Sequence, residues 1–295
     1  MALRVGEQEF RLLRDLIEKR SGILLGNEKQ YLIENRLSPL VRALKCHSYG
    51  DFYLKVKESP PTGELWTSVM DAMTTNETSW LRDRHPFVAL RERLFPQFQE
   101  EIRAGKRQGI NIWSAACSTG QEPYSIAMTA LDCYRTCGGE KACDEQVRIL
   151  ATDISKAVLF RAMDGRYEPQ SLRRGLPEEY LNRYFDRQDE GWTVGQKVKN
   201  LVTFKQINLQ EPFVGLGPFD IVFLRNVIIY FGDKFKQELL NRIARVLAPG
   251  GYMFLGTGET VRGYTMGFDM REHSGAVFYQ VSSYLAAIEK GVGYG

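Results

Sequence analysis

The stretch WSAACSTGQEPYSIA, Trp113–Ala127, reads as the end of a buried strand running straight into the start of a helix. Between the two lie only small residues and one glycine, Gly120, followed by Glu122 and Pro123. Proline suits the first turn of a helix, where its missing N–H would have had no partner anyway. In an open α/β sheet, ligands bind beyond the carboxyl ends of the strands. The small side chains of the turn Cys117-Ser118-Thr119-Gly120 would let backbone amides approach such a ligand. A dinucleotide site would want G-x-G-x-x-G to seat a pyrophosphate. Here a single glycine is joined by an acid, Glu122, which disfavours a phosphate and suits a cationic amine or sulfonium.

Downstream of this stretch, strand-like and helical runs alternate. INIWSAA, VRILATDI, LVTFKQINL, FDIVFLRN and GYMFLGT read as strands, and Pro123–Tyr134, Ser155–Met163 and Lys234–Leu247 as helices. That alternation predicts a mostly parallel sheet covered on both faces. FDMREHSGAVFYQV reads as two short strands turning at Ser274-Gly275, which adds antiparallel strands at one edge. Between Ala162 and Leu201 lie about 38 residues, too many for an ordinary loop. LPEEYLNRYF reads as a short helix there and GWTVGQKVKN as a hairpin with Gly195 near its turn. The expectation is a small β-subdomain inserted at about residues 166–200.

Upstream, the apolar period is helical. Phe10, Leu13, Leu16 and Ile17 share one face, and Ile33, Leu37, Leu40, Val41 and Leu44 form a second stripe. Pro39 either kinks that second helix or starts a new one, with Ser38 as its N-cap. Asp51 is a candidate cap for another short helix, and Leu65, Trp66, Val69, Met70 and Met73 mark one more. The predicted organisation is a helical N-terminal domain over residues 1–90 and an α/β domain over residues 91–295 that carries the ligand site.

Composition narrows the function. The chain has 295 residues, 39 of them basic and 36 acidic, for a net charge of +3. That balance gives no reason to expect nucleic acid as a partner. The beginning, MALRVGEQEF, shows no secretory pattern, and no apolar run is long enough to span a bilayer, so a cytoplasmic protein is expected. Cys133, Cys137 and Cys143 lack the C-x-x-C spacing and nearby histidines of a zinc site. They read as reduced thiols at a helix end and in the following loop, and no metal is expected.

The second strand ends in ILATDI, which puts Asp153 at its carboxyl end. An acid there can accept hydrogen bonds from both ribose hydroxyls. It could equally cap the next helix, and the two roles are compatible. A nucleoside with a sulfonium, an amino-acid end and no phosphate is S-adenosyl-L-methionine. The turn LAPGGYMFLG into a late strand is also common in the class I (Rossmann-like) methyltransferase fold, although Pro-Gly-Gly is a turn signal in any protein.

Five motifs in order, TTNETSWLRDRHPF, WSAACSTGQEPYSIAMT, ATDIS, INL and FLRNVIIYF, make the chain resemble the chemotaxis receptor methyltransferases, the CheR family, over nearly its whole length. The resemblance implies that Asn76, Thr78 and Arg82 close over the cofactor from the junction of the two domains. It implies that Glu122 contacts the cofactor and Asp153 holds the ribose, while Asn208, Leu209, Arg225 and Asn226 complete the pocket and Tyr230 stands near the transferred methyl. It implies methyl-ester formation on glutamates in the cytoplasmic helices of chemoreceptors, with S-adenosyl-L-homocysteine as the other product. Where the family often has His-Ser-Glu, this chain has Thr257-Gly258-Glu259.

Such a reaction is an in-line displacement, and a glutamate with its ordinary pKa near ~4.3 is already a nucleophile at pH 7, so no general base is needed. Burial would tend to protonate that carboxylate unless a cation offsets it, and Arg82 is the candidate. Alternatively, Arg82 makes a surface ion pair with Asp83, Tyr230 merely walls the pocket, and Trp80 and Phe87 fill the core between domains. From Lys29 to Lys57 there are six basic residues (Lys29, Arg36, Arg42, Lys45, Lys55, Lys57) against two acids (Glu34, Asp51), a local +4 that would steer an acidic partner. Some relatives grip a C-terminal receptor pentapeptide with the β-subdomain. The region YFDRQDEGWTVGQKVKN looks short and lacks a Gly-x-Gly turn, so that tether is expected to be dispensable and the protein monomeric. The competing readings are a methyltransferase for another substrate and a non-catalytic S-adenosylmethionine-binding module.

Overall fold

The run of small and apolar residues from Ile110 forms an interior strand of a seven-stranded sheet in the computed structural model, which describes residues 3–282. In chain order the strands are β1 Ile110–Ala115, β2 Val147–Asp153, β3 Arg166–Tyr167, β4 Phe185–Gln188, β5 Gly191–Val194, β6 Val202–Gln206, β7 Phe219–Leu224, β8 Leu247–Leu255, β9 Phe268–His273 and β10 Ala276–Val281. The large sheet runs β6-β2-β1-β7-β8-β10-β9. Its first five strands are parallel; β10 and β9 pair antiparallel at one edge, as the Ser274-Gly275 turn predicted. Because β1 and β7 are covered on both faces, β7 is buried at all six positions and β1 is buried except at Asn111.

The helices are α1 Glu7–Ser21, α2 Gln30–Ala43, α3 Tyr49–Glu58, α4 Glu64–Met73, α5 His85–Ala89, α6 Phe95–Arg103, α7 Gln121–Thr136, α8 Gly139–Gln146, α9 Lys156–Asp164, α10 Pro169–Leu172, α11 Glu178–Tyr184, α12 Gln196–Lys199 and α13 Asp233–Val246. The first four close around one apolar cluster that extends from Val5 to Met73. From Trp80 onward the apolar residues belong mainly to two other cores, one on each face of the sheet: Ile221 and Phe223 of β7 enter one, Val222 and Leu224 the other. Helix α2 continues through Pro39, so of the two readings of that proline the continuous helix is the one adopted.

Several local expectations are corrected. Ser48, not Asp51, caps α3: its hydroxyl accepts from the Asp51 amide, while Asp51 accepts from the His47 amide. The insert is a three-stranded sheet in the order β3-β5-β4, but its hairpin turns at Asp189-Glu190. Gly195 is the N-cap of α12 instead. Cys143 sits in α8 rather than in a loop, and it is fully buried. Trp80 and Phe87 do not fill a core between the helical segment and the sheet. Trp80 meets Tyr167 and Phe185 of the insert edge-on at 4.8 and 5.2 Å, and Phe87 stacks over Phe223 of β7.

Candidate active site

At the carboxyl ends of β2, β1 and β7 the chain leaves the sheet in three tight turns. Two of these turns hold non-glycine residues at positive φ: Ala116 and Ser118 after β1, and Asn226 after β7. Leu81, Asp83 and Arg84 do the same in the segment that joins α4 to α5. Strained backbone of this kind persists only where the surroundings over-determine it, and it concentrates at ligand sites. All of these turns face one cleft between the sheet and the α1–α2 connection.

The ten residues singled out from the sequence all line that cleft. Asp153 ends β2 and is almost fully buried. One carboxylate oxygen accepts from the Ser118 amide at 2.9 Å and the other from the Ser155 amide at 2.9 Å. Burial pushes its carboxyl above the ordinary aspartate value, and the two amides only partly offset this. Each oxygen retains a lone pair for a ligand. Capping of α9 falls to Ser155, whose hydroxyl accepts from the Val158 amide.

Glu122 departs from the sequence picture. It is not an open carboxylate awaiting a cation: Ser114 donates to one oxygen at 2.7 Å and Arg225 to the other at 3.0 Å. Burial raises its carboxyl above the usual range, against the pull of Arg225 and Ser114. Arg225, itself 5% exposed, spends its other terminal nitrogen on Asp83 at 2.6 Å and on the Arg82 carbonyl. Asp83 therefore pairs with Arg225 and not with Arg82. Among the described residues the Arg82 guanidinium donates only to the Glu77 carbonyl, at 3.2 Å.

The turn after β1 also works differently from the expectation. Ala116 and Ser118 line the cleft, whereas Cys117, Thr119 and Gly120 do not. The Ser118 amide is already taken by Asp153, and its hydroxyl donates to the Asn76 carbonyl. Gly120 is required by packing: a Cβ there would lie 2.9 Å from Ala162 Cβ and 3.0 Å from the Tyr167 hydroxyl. Burial raises the Cys117 thiol far above its usual value, which makes it a poor nucleophile.

Among the described residues, the side chains of Asn76, Thr78 and Asn226 and the hydroxyl of Tyr230 have no hydrogen-bond partner within the protein, and all four face the cleft. Asn208 differs: its amide donates to the Arg20 carbonyl at 2.6 Å and its oxygen accepts from the Gln210 amide. That side chain latches α1 to the sheet. Leu209 beside it is buried, and its carbonyl accepts from Arg242.

Sequence reasoning missed Glu259, noted only as part of a departure. Its carboxylate accepts from four backbone amides, those of Asn226 and Gly256 at 2.7 Å, Val227 at 2.9 Å and Ile229 at 3.3 Å. It thereby fixes the loop that presents Asn226 and Tyr230. An acid shortly after a predicted strand end was the one signal available. Gly256 makes room for it, since a Cβ there would lie 2.5 Å from the Asn226 amide nitrogen.

A parallel sheet that offers one acid at the end of its second strand and no phosphate-binding glycine loop, roofed by a helical segment, defines a nucleoside-dependent transferase of the class I methyltransferase type. Residues 8–74 match the CheR methyltransferase all-alpha domain and residues 76–277 match the CheR methyltransferase SAM binding domain. The chain is 41% identical over 276 residues to the chemotaxis protein methyltransferase Cher2 of Pseudomonas putida, covering 93% of this chain and 98% of that one. It is 42% identical over 281 residues to a chemotaxis protein methyltransferase of Vibrio anguillarum, covering 95% and 99%. It is 35% identical over 275 residues to that of Escherichia coli, covering 91% and 90%. The chain belongs to the CheR methyltransferase family, and its cofactor is S-adenosyl-L-methionine. The site's donors fit that group: Asp153 offers acceptors for hydroxyls, and the unpartnered amides and hydroxyls of Asn76, Thr78, Asn226 and Tyr230 suit its polar amino-acid and adenine ends.

Proposed function

We propose that the protein is a protein-glutamate O-methyltransferase that esterifies glutamate side chains on the cytoplasmic helices of chemoreceptors. The observation that carries this reading is the convergence of ten separated positions, Asn76 to Tyr230, on one cleft. S-adenosyl-L-methionine supplies an electrophilic methyl group on a sulfonium when bound. The protein's task is then to hold the acceptor carboxylate ionised and in line, since positioning alone can supply a large part of such a rate.

Arg82 is proposed for the first part. Among the described residues its guanidinium makes one hydrogen bond, to a carbonyl, and no ion pair, so its charge is left for an incoming carboxylate. Arg225 is a poor candidate, because Glu122 and Asp83 already balance it. Tyr230 is proposed for the second part: its hydroxyl lacks a partner among the described residues, while its backbone is pinned by the Leu24 amide at 2.8 Å. Asp153 would hold the ribose. Residues 1–90 would serve docking, with the insert at about 166–200 as a secondary element, and the enzyme would act in the cytoplasm as a monomer. No described helix is long and apolar enough to cross a membrane. The two-residue turn of the β4–β5 hairpin supports a docking mode that needs no C-terminal receptor pentapeptide.

The proposed roles are tested by kinetics. Arg82→Ala and Tyr230→Phe should each lower turnover on receptor fragments about 10–100-fold while leaving product affinity within about threefold. If Arg82→Ala weakens S-adenosylhomocysteine binding as much as it lowers turnover, Arg82 belongs to the cofactor pocket and not to the reacting carboxylate.

A further inference from the structure

Beside the cleft lies a second, open groove formed by residues 79–85 and by Arg174 and Gly175 of the insert. Ser79 and Arg82 line both hollows, so the groove begins where the cleft ends. Three guanidinium groups border it: Arg82, Arg84 and Arg174. The Arg84 side chain is exposed and makes no hydrogen bond or ion pair with any described residue. The one acid in the groove, Asp83, is drawn inward by Arg225, a guanidinium that it shares with Glu122, and so is turned away from Arg84.

The groove is held rigidly. The Trp80 amide donates to the Arg174 carbonyl at 3.0 Å, and Gly175 packs so closely that a Cβ would lie 2.2 Å from the Trp80 carbonyl oxygen. Arg174 also pairs with Glu77 at 3.1 Å. The insert and the 79–84 loop therefore present their charges as one surface.

We infer that this groove is a docking surface for the acidic helix that carries the acceptor glutamate. The inference rests on the proposed function and adds to it the place where the acceptor's neighbouring residues lie. In a helix, residues three and four positions apart stand one above another, about one turn away. When one glutamate enters the cleft, acids one turn along the helix reach the rim shared through Ser79 and Arg82. Arg84 meets them with an uncommitted charge, and it steers and registers the helix without touching the reacting atoms. The helical segment's basic residues then supply only part of the docking. Three of the six counted there are held in place by backbone carbonyls, Arg36 by Met73 and Thr74, Arg42 by Ser38 and Lys55 by Leu44, which limits how far those charges reach.

The test uses the full-length enzyme, a soluble receptor cytoplasmic fragment and the same fragment displayed on anionic vesicles. Arg84→Glu should raise KM for the soluble fragment about fivefold at low salt, leave kcat within twofold and leave S-adenosylhomocysteine affinity unchanged. Arg84→Lys, which keeps the charge, should stay near wild type, and added salt should narrow the gap between Arg84→Glu and wild type. Equal KM for wild type and Arg84→Glu, while wild type methylates the fragment, would overturn the groove alone. A difference seen only on vesicles would assign the groove to lipid and overturn the helix. Wild-type enzyme that transfers no methyl to the fragment would overturn the underlying reading, and the groove with it.

Discussion

Asp153 and Glu259 are both carboxylates that accept backbone amides, yet they serve opposite ends. Asp153 takes one amide per oxygen and keeps acceptor capacity towards the cleft, whereas Glu259 takes four amides and has little left to give. Asp153→Ala should therefore weaken S-adenosylhomocysteine binding by at least about tenfold in calorimetric titration while the fold is kept, with a melting loss of about 1–3 kcal/mol because the Ser118 and Ser155 amides lose their acceptor. Affinity should also depend on pH. Burial raises the Asp153 carboxyl, so the folded protein binds a proton where an unfolded chain's aspartate is still ionised. The ionised group thus costs stability at neutral pH, and that cost fades as pH falls through the raised value. A ligand whose hydroxyls need the ionised form binds less well over that same fall, beginning above the ordinary aspartate range. An affinity that is flat across that range would remove the ribose assignment. Glu259→Gln should do something different: it leaves amides of the 226–229 loop short of an acceptor, lowering stability by about 1–3 kcal/mol and loosening both Asn226 and Tyr230. A variant with wild-type melting and wild-type product affinity would show that the loop holds itself.

At the scale of elements, the sheet was legible because its strands carry two-sided burial and its helices carry helical periodicity. The order of strands, helices and the antiparallel edge follows from those patterns and from ordinary rules of chain connection. The hairpin of the insert was misplaced because Gly195 is a strong turn signal, whereas Asp189-Glu190, which actually turns, carries none. Of the ten site residues, Glu122 and Asp153 were legible from the turn and the strand end, and the other eight through motif resemblance. Their partners were not, since Arg225 meeting Asp83 and Glu122 joins residues some 140 and 100 positions apart. The same limit hid the insert's hold on the 79–84 loop, which depends on Gly175. Gly175→Ala combines a φ of +100° with a 2.2 Å collision against Trp80 backbone, whereas Gly105→Ala, at φ +68°, meets nothing within 4 Å. The first should lower stability by about 2–4 kcal/mol and the second by about 1 kcal/mol. Equal losses in denaturant melts would mean that the insert does not press on the loop.

At the scale of the whole molecule, the cleft lies where the helical segment meets the sheet through specific bonds. Asn208 and Gln210 reach the carbonyls of Arg20 and Glu18, Asp71 accepts from the Ser155 hydroxyl at 2.6 Å, and Leu24 donates to the Tyr230 carbonyl. The helical segment is thereby part of the cleft wall and not an appended module. This explains why Thr78 and Arg82, on the connection, can face the same space as Asp153, at the end of β2. The proposed acceptor is a glutamate presented on a receptor helix, and its ester distinguishes this account from other methyl transfers. The decisive measurement is transfer of radiolabelled methyl from S-adenosylmethionine to a purified receptor cytoplasmic fragment, followed by treatment of the product with base. Glutamyl methyl esters hydrolyse to volatile methanol, so the account predicts that the label leaves the protein in base, and that fragments with the acceptor glutamates changed to alanine take up none. Label that survives base, or persists in those fragments, would contradict it.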